Sequence, residues 1–410
     1  MADPDRSWLR WRRIPGGVWA LGAVSLLMDL SSEMIHALLP LYLAVGLGAS
    51  MLTVGIIEGV AEATALIVKI FSGALSDWLG KRKLLVAMGY GLAAFTKPVF
   101  PLATSIGWLF AARFVDRIGK GIRGAPRDAL IADLSPPDVR GTSFGLRQSL
   151  DTVGAFLGPL AAIGLMIVFA NSFTTVFWIA TIPAIAAFVV IILFVHEPPR
   201  PADSKPQRSP LTRKEIARLE TAFWMVVVVG TLFTLARFSE AFLLLRAQSL
   251  GLSLAWVPGV LVVMNVIYAL SAWPAGALSD RIGRYALLGA GFAALIAADL
   301  VLAFAPNVST VMFGTVLWGL HMGLTQGILA ALIADTAPPD LRGTAFGMFN
   351  LITGIAMLLA SVVAGALWDL VGARTTFLAG AIFTALALGM LPFIRPTPGR
   401  TSPRSAAGDS

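Results

Sequence analysis

Asp29, Glu33 and His36 recur at i, i+4 and i+7 in the stretch LLMDLSSEMIHALLP. That spacing sets all three on one helical face, within about 60° of arc. A second constellation is denser. Arg113, Asp116, Arg117, Lys120, Arg123, Arg127 and Asp128, spaced at about 100° per residue, fall within an arc of about 140°. Carboxyls at such positions can carry protons, and the cations can hold a charged solute. The proton affinity of a carboxyl depends on its burial and on nearby cations, so an arginine that moves relative to Asp29 or Glu33 would couple proton uptake to a change of shape. Asp29, Glu33 and His36 also have the donor types that ligate a divalent cation, although five basic residues on the second stripe oppose a metal.

These residues sit in an apolar chain. Of 410 residues 57% are hydrophobic and 13% charged, against roughly 25% charged in soluble domains. Lipid leaves a spanning backbone only helices or closed barrels, and runs of about 20 apolar residues or more point to helices. Twelve spans are expected, near 17–45, 51–76, 84–104, 106–128, 143–170, 174–195, 220–247, 253–278, 285–305, 309–333, 345–370 and 374–394. The charged stripe is the fourth of them.

The net charge of +8 sorts by membrane side. Arg6, Arg10, Arg12 and Arg13, then Lys81, Arg82 and Lys83, then the six cations of residues 200–218 all fall on one side, which the positive-inside rule makes cytoplasmic, with both termini. This sorting argues against nucleic acid as the partner of the basic charge. There is no cysteine, so disulfides and thiolate metal sites are excluded. No phosphate loop of the G-x4-G-K-[ST] type occurs, and no catalytic constellation lies in a soluble segment, so neither an ATP-driven pump nor an enzyme is expected.

The chain repeats itself. Residues 129–145, ALIADLSPPDVRGTSFG, and 331–347, ALIADTAPPDLRGTAFG, are identical at 13 of 17 positions. GALSDWLGKRK from Gly73 returns as GALSDRIGRYA from Gly276, at nearly the same separation. A duplicated six-helix unit follows, the layout of secondary transporters with parallel repeats. The expected organisation is a cytoplasmic arm at 1–16, a bundle at 17–195, a cytoplasmic loop at 196–219 with a short helix beginning near Thr212, a second bundle at 220–395, and a disordered tail at 396–410.

On these motifs the chain resembles the major facilitator superfamily, over essentially residues 15–395. The resemblance implies an all-α membrane protein of twelve transmembrane helices in two pseudo-symmetric six-helix bundles. It rests first on the loop pattern G-x-L-x-D-x-x-G-[RK]-[RK], carried by Gly73, Leu75, Asp77, Gly80, Lys81 and Arg82 and echoed by Gly276, Leu278, Asp280, Gly283 and Arg284. In the family this cluster is a cytoplasmic latch, so Asp77, Lys81, Arg82, Asp280 and Arg284 are expected at a gate, together with Arg123, Arg127 and Asp128 at the inner end of the fourth span. Gly145, Gly154, Gly158 and Pro159 match the fifth-helix pattern of proton-coupled exporters, with Ala162 and Ile163 replacing its final glycine pair. Arg113 resembles the arginine of the fourth-helix motif R-x-x-Q-G, with Asp116 and Arg117 where Gln and Gly would stand.

The first, fourth, seventh and tenth helices line the cavity in this family. The resemblance therefore puts His36, Arg113, Asp116, Arg117, Lys120, Arg237, Glu240, His321 and Gln326 at the substrate, with Asp29 and Glu33 as proton carriers. The expected function is alternating-access, proton-coupled efflux of a small organic solute, possibly anionic. The protein would be a monomer in the inner cell membrane and would need no cofactor. Two alternatives stand beside this reading: export of a divalent metal through Asp29, Glu33 and His36, and a non-transporting receptor on the same scaffold.

Overall fold

A computed structural model describes residues 13–198, 213–338 and 341–393. The helices in chain order are α1 (Gly16–Leu41), α2 (Met51–Leu79), α3a (Arg82–Thr96) with α3b (Val99–Leu102), α4 (Ile106–Leu134), α5 (Arg140–Val168) and α6 (Phe173–Phe194). The second half holds α7a (Thr221–Ala236) with α7b (Ala241–Ser249), α8 (Gly259–Ile282), α9 (Arg284–Ala303), α10 (Val308–Thr336), α11 (Arg342–Leu370) and α12 (Ala373–Met390). Between the halves, one helical turn at Arg213–Ile216 falls where the sequence suggests a short helix.

Eleven of the twelve spans are long and apolar enough to cross a membrane by composition alone. The remaining one is α4, whose 29 residues cover about 43 Å at 1.5 Å per residue. Its length is ample, and its charge is what sets it apart. The other departures from the expected spans also occur at charged residues. α4 runs on to Leu134 rather than ending at 128, α3 breaks around Lys97 and Pro98, and the seventh span breaks between Ala236 and Ala241. Proline 98 has no N–H to continue the α3 ladder.

The packing repeats with the sequence. In the first half α1 meets α5 and α6, and α4 meets α2 and α3a; in the second half α7a meets α11 and α12, and α10 meets α8 and α9. Two duplicated motifs prove to be each other's partners: Arg82 pairs with Asp133 in one half and Arg284 with Asp335 in the other. Each pair ties the start of the third helix of a half to the end of the fourth.

Call the face that carries Gly16 and Arg213–Ile216 the near face, and the opposite one the far face. Far-face turns are short and capped: Ser50, Ser172 and Asn307 accept the backbone N–H of Thr53, Thr175 and Thr310 at 3.1, 3.4 and 3.0 Å. Such caps satisfy donors that a helix start leaves free.

The halves meet mainly along α2 and α11, where glycines permit close approach. At the far end, Gly365 lies on Met51 and Gly55 on Ser361, too close for a side chain at either glycine. Further along, a β-carbon at Gly59 would meet Leu358 at 3.0 Å, and at the middle of the two helices one at Gly354 would lie 3.5 Å from Leu66. The two helices thus diverge toward the near face. At their far ends Asp369 of α11 accepts the N–H groups of Met51 and Leu52 at 3.0 and 2.8 Å, joining one half to the first turn of α2 in the other.

Candidate functional site

A cavity of about 300 Å³ lies between the halves. The first half lines it with Glu33 and His36 of α1, Glu62 of α2, Arg117 and Lys120 of α4 and Ala155 of α5. The second half contributes Arg237, Phe238, Ser239 and Glu240 from the break in the seventh span, Asn265 of α8, Trp318 of α10 and Met357 of α11. Backbone freed at a helix break finds partners only in protein or in a cavity; here Ser361 of α11 accepts the Ser239 N–H at 3.2 Å.

The α4 stripe does not face the cavity as one surface. Its first turns lie inside the N-terminal bundle, locked into ion pairs with α2 and α3. Arg113, 1% exposed, donates to Glu58, which is fully buried, at 2.8 Å and contacts His36 Nδ1 at 2.8 Å. Asp116 receives Lys97 at 2.9 Å, and Lys97 also donates to Ser32 at 3.1 Å. Arg117 reaches the cavity yet stays near Glu62 at 3.5 Å and Asp116 at 3.6 Å. Because α2 and α4 run in parallel, the i, i+4 pair Glu58 and Glu62 matches the i, i+4 pair Arg113 and Arg117 rung for rung. Of the stripe only Arg117 and Lys120 line the cavity.

The inner half of the stripe is also turned inward. Arg123, 5% exposed, stacks on Tyr90 at 4.5 Å. Arg127 donates to Ser25 at 3.1 Å and Tyr90 at 3.3 Å, and lies 3.3 Å from Asp128 and 3.7 Å from Asp151. These contacts are internal to the N-terminal half: Arg123, Arg127 and Asp128, expected at the gate, are engaged among α1, α3a, α4 and α5.

Asp29, Glu33 and His36 do not converge. Asp29 lies against Asp151 of α5, Glu33 faces the cavity, and His36 is engaged by Arg113. No group of three or more metal-ligating side chains forms among the described residues, and a guanidinium on the imidazole opposes a cation there. The metal alternative therefore has no assembled site at these residues.

The α5 glycines bear directly on the two carboxylates. A β-carbon at Gly154 would meet Leu26 O at 2.5 Å and Asp29 Cβ at 3.1 Å, and one at Gly158 would meet Glu33 Cβ at 2.5 Å. Gly145 has nothing within 4 Å, and Pro159 lies within α5. Replacing Gly158 with Leu is expected to push α1 from α5, costing about 1–3 kcal/mol as overpacking does. A lower melting temperature of the purified variant checks this.

The family profile described as Major Facilitator Superfamily matches residues 21–267 and 248–410. The chain belongs to the major facilitator superfamily. An uncharacterised MFS-type transporter of Methanocaldococcus jannaschii is 33% identical over 394 residues, covering 93% of this chain and 96% of that one. Quinolone resistance protein NorA of Staphylococcus aureus is 26% identical over 209 residues, 51% of each chain. Among solved structures, a variant of the nucleoside transporter NupG superposes with a TM-score of 0.80 at 14% identity, covering 92% of this chain and 99% of that one. The human organic anion transporter TETRAN gives 0.66 at 19%, covering 93% and 99%. At these identities the structures establish the fold alone.

As a member of this superfamily the chain is a multi-pass membrane transporter, and such families are in general not enzymes. The residues expected at the latch lie at the near-face ends of their helices. Arg82 engages Asp133 and the Ala129 carbonyl, and its N–H bonds Glu197 at 2.6 Å. Arg284 engages Asp335, and Lys81 precedes α3a. The Asp77 and Asp280 side chains lie outside the described residues. Both arginine pairs stay within one half.

In the superfamily member's second half, His321 and Gln326 miss the central cavity. His321 is fully buried between Trp318, 5.3 Å away, and Phe233, 6.1 Å away. Gln326 bonds Tyr268 at 3.0 Å and lines a separate cavity of about 290 Å³ with Arg284. Sequence reading overlooked Glu58, Glu62, Lys97 and Asp133. An available signal was ionisable type at bilayer depth, which by itself marks Glu58, Glu62 and Lys97 as candidates.

Proposed function

We propose that this protein is a proton-coupled exporter of a small organic solute, working by alternating access in the inner cell membrane with its near face and both termini in the cytoplasm. The observation that carries this is a charged cavity built jointly by both halves, tightly joined at the far face by α2 and α11 and by Asp369. Rocking of the halves about that cavity would expose it to each side in turn.

Proton coupling is assigned to Glu33, which lines the cavity, and to Asp29, one turn away on the same face of α1. Both sit on the α1 face against which Gly154 and Gly158 pack, so α1 movement changes their surroundings directly. The partial exporter motif on α5 and the likeness to NorA support efflux. The near-face cations support the cytoplasmic assignment. The protein performs no catalysis in this reading.

The test is flux in proteoliposomes under an imposed pH gradient. Wild type is expected to drive solute with the gradient, whereas Glu33→Gln loses driven flux and keeps downhill exchange. Driven flux unchanged in Glu33→Gln would remove Glu33 from coupling. Flux indifferent to pH in wild type would remove the proton.

A further inference from the structure

Of the six carboxylates and cations that line the cavity, two are paired in contact and four are not. Arg117 is held by Glu62 and Asp116. By contrast, Glu33, Lys120, Arg237 and Glu240 all line the cavity, and none forms an ion pair within 4.0 Å among the described residues. They divide evenly by sign and by origin: Glu33 and Lys120 come from the first half, Arg237 and Glu240 from the second. Two buried donor atoms there lack acceptors. The Arg237 Nε and the indole N–H of Trp318, a side chain 1% exposed, are buried without partners.

We propose that the transported solute is zwitterionic: one small molecule bearing an ammonium-type cation and a carboxylate- or phosphate-type anion. This rests on the transporter reading above. An anion alone would satisfy Lys120, Arg237 and the Trp318 N–H, but would meet Glu33 and Glu240 as like charges. A cation alone meets the reverse problem. Only a solute with both signs supplies a partner to each, and like-charge contact in a confined space is what rejects the others. Each half offers one cation and one anion, so a bridging zwitterion contacts both halves through opposite charges. Phe238, Trp318 and Met357 supply apolar wall for its body. At about 300 Å³ the cavity is at the small end of ligand pockets, which span roughly 300–1,000 Å³, so the body is compact.

The test is thermal shift of the purified full-length protein with two matched series. One is phenylalanine, phenethylamine and 3-phenylpropionate; the other, with wider charge separation, is 6-aminohexanoate, hexylamine and hexanoate. A binder raises the melting temperature as its concentration passes its dissociation constant. At least one zwitterion is expected to bind tenfold or more tightly than both of its single-charge analogues. Lys120→Met and Glu240→Gln should each weaken it at least tenfold, while Arg374→Ala, which alters only a stack on Phe304, leaves it unchanged. Ligand-free melting of each variant, and Lys120→Arg as a charge-retaining control, separate lost binding from lost folding.

A single-charge analogue binding as tightly as its zwitterion overturns the proposal, and so does the absence of binding by either zwitterion. Counterflow in proteoliposomes separates this outcome from failure of transport. A zwitterion that binds with the expected preference but does not exchange removes the transport reading and leaves the assignment. Exchange of the single-charge analogues at equal rates removes the assignment and leaves transport.

Discussion

Replacing Glu58 with Ala is expected to produce the largest loss of stability of any single change in the N-terminal half. Glu58 is fully buried and holds Arg113, itself 1% exposed, at 2.8 Å. Removing one partner of a buried ion pair leaves the other uncompensated, at a cost of about 3–5 kcal/mol. His36 cannot replace it: the imidazole contacts the same guanidinium nitrogen but brings no negative charge. The melting temperature of purified Glu58→Ala should therefore fall well below wild type. The companion measurement is the double variant Glu58→Leu with Arg113→Leu. Because a buried pair replaced whole by apolar residues is often near neutral, the double variant should melt far closer to wild type than the single one. If both variants melt alike, Glu58 and Arg113 do not act as one structural unit.

The second large effect is on conformation rather than stability. Asp369→Ala removes the carboxylate that accepts the first two N–H groups of α2 from the opposite half. Loss of a helix cap costs about 0.5–2 kcal/mol, and the cost falls only on the state in which the far ends touch. The equilibrium between far-closed and far-open states should therefore move toward opening by roughly 2- to 30-fold. The chain has no cysteine, so spin labels can be placed without background. Cysteines at Val45 and Val371, both exposed and one in each half, should report a larger population of long distances in Asp369→Ala than in wild type. An unchanged distance distribution would mean that the cap does not bias the far-face closure.

The division into repeats was legible because duplication leaves identical letters, and the structure shows why those letters persist together: the Asp of one motif, Asp133 or Asp335, is the partner of the Arg in the other, Arg82 or Arg284. The seven-residue α4 stripe was legible as one face, but its destination was not. Helical period fixes which residues share a side and says nothing of whether a neighbouring helix brings countercharge to it. Glu58, Glu62 and Lys97 do so for Arg113, Arg117 and Asp116, and of the basic surface expected to attract an anion only Lys120 is left unpaired in the cavity while the rest is engaged inside the bundle. Breaks were illegible for a related reason. The stretch LARFSEAFLLLR reads as continuous helix, yet the chain unwinds between Ala236 and Ala241, where Arg237 and Glu240 reach the cavity and Ser361 takes up a freed N–H. The two α5 glycines Gly154 and Gly158 lie where α1 approaches closely, against Asp29 and Glu33.

Alternating access is the claim on which the rest depends, and it can be measured without knowing the solute. Met357 lines the central cavity, so Met357→Cys places a single thiol there in a chain that otherwise has none. In sealed, oriented vesicles a membrane-impermeant thiol reagent is applied to one side at a time. The predicted result is labelling from both sides, fast from the near face and slower from the far face, with the far-face rate rising when Asp369→Ala is added. Labelling confined to the near face, in the presence and absence of the Asp369 cap, would contradict the account and leave a receptor on a transporter scaffold.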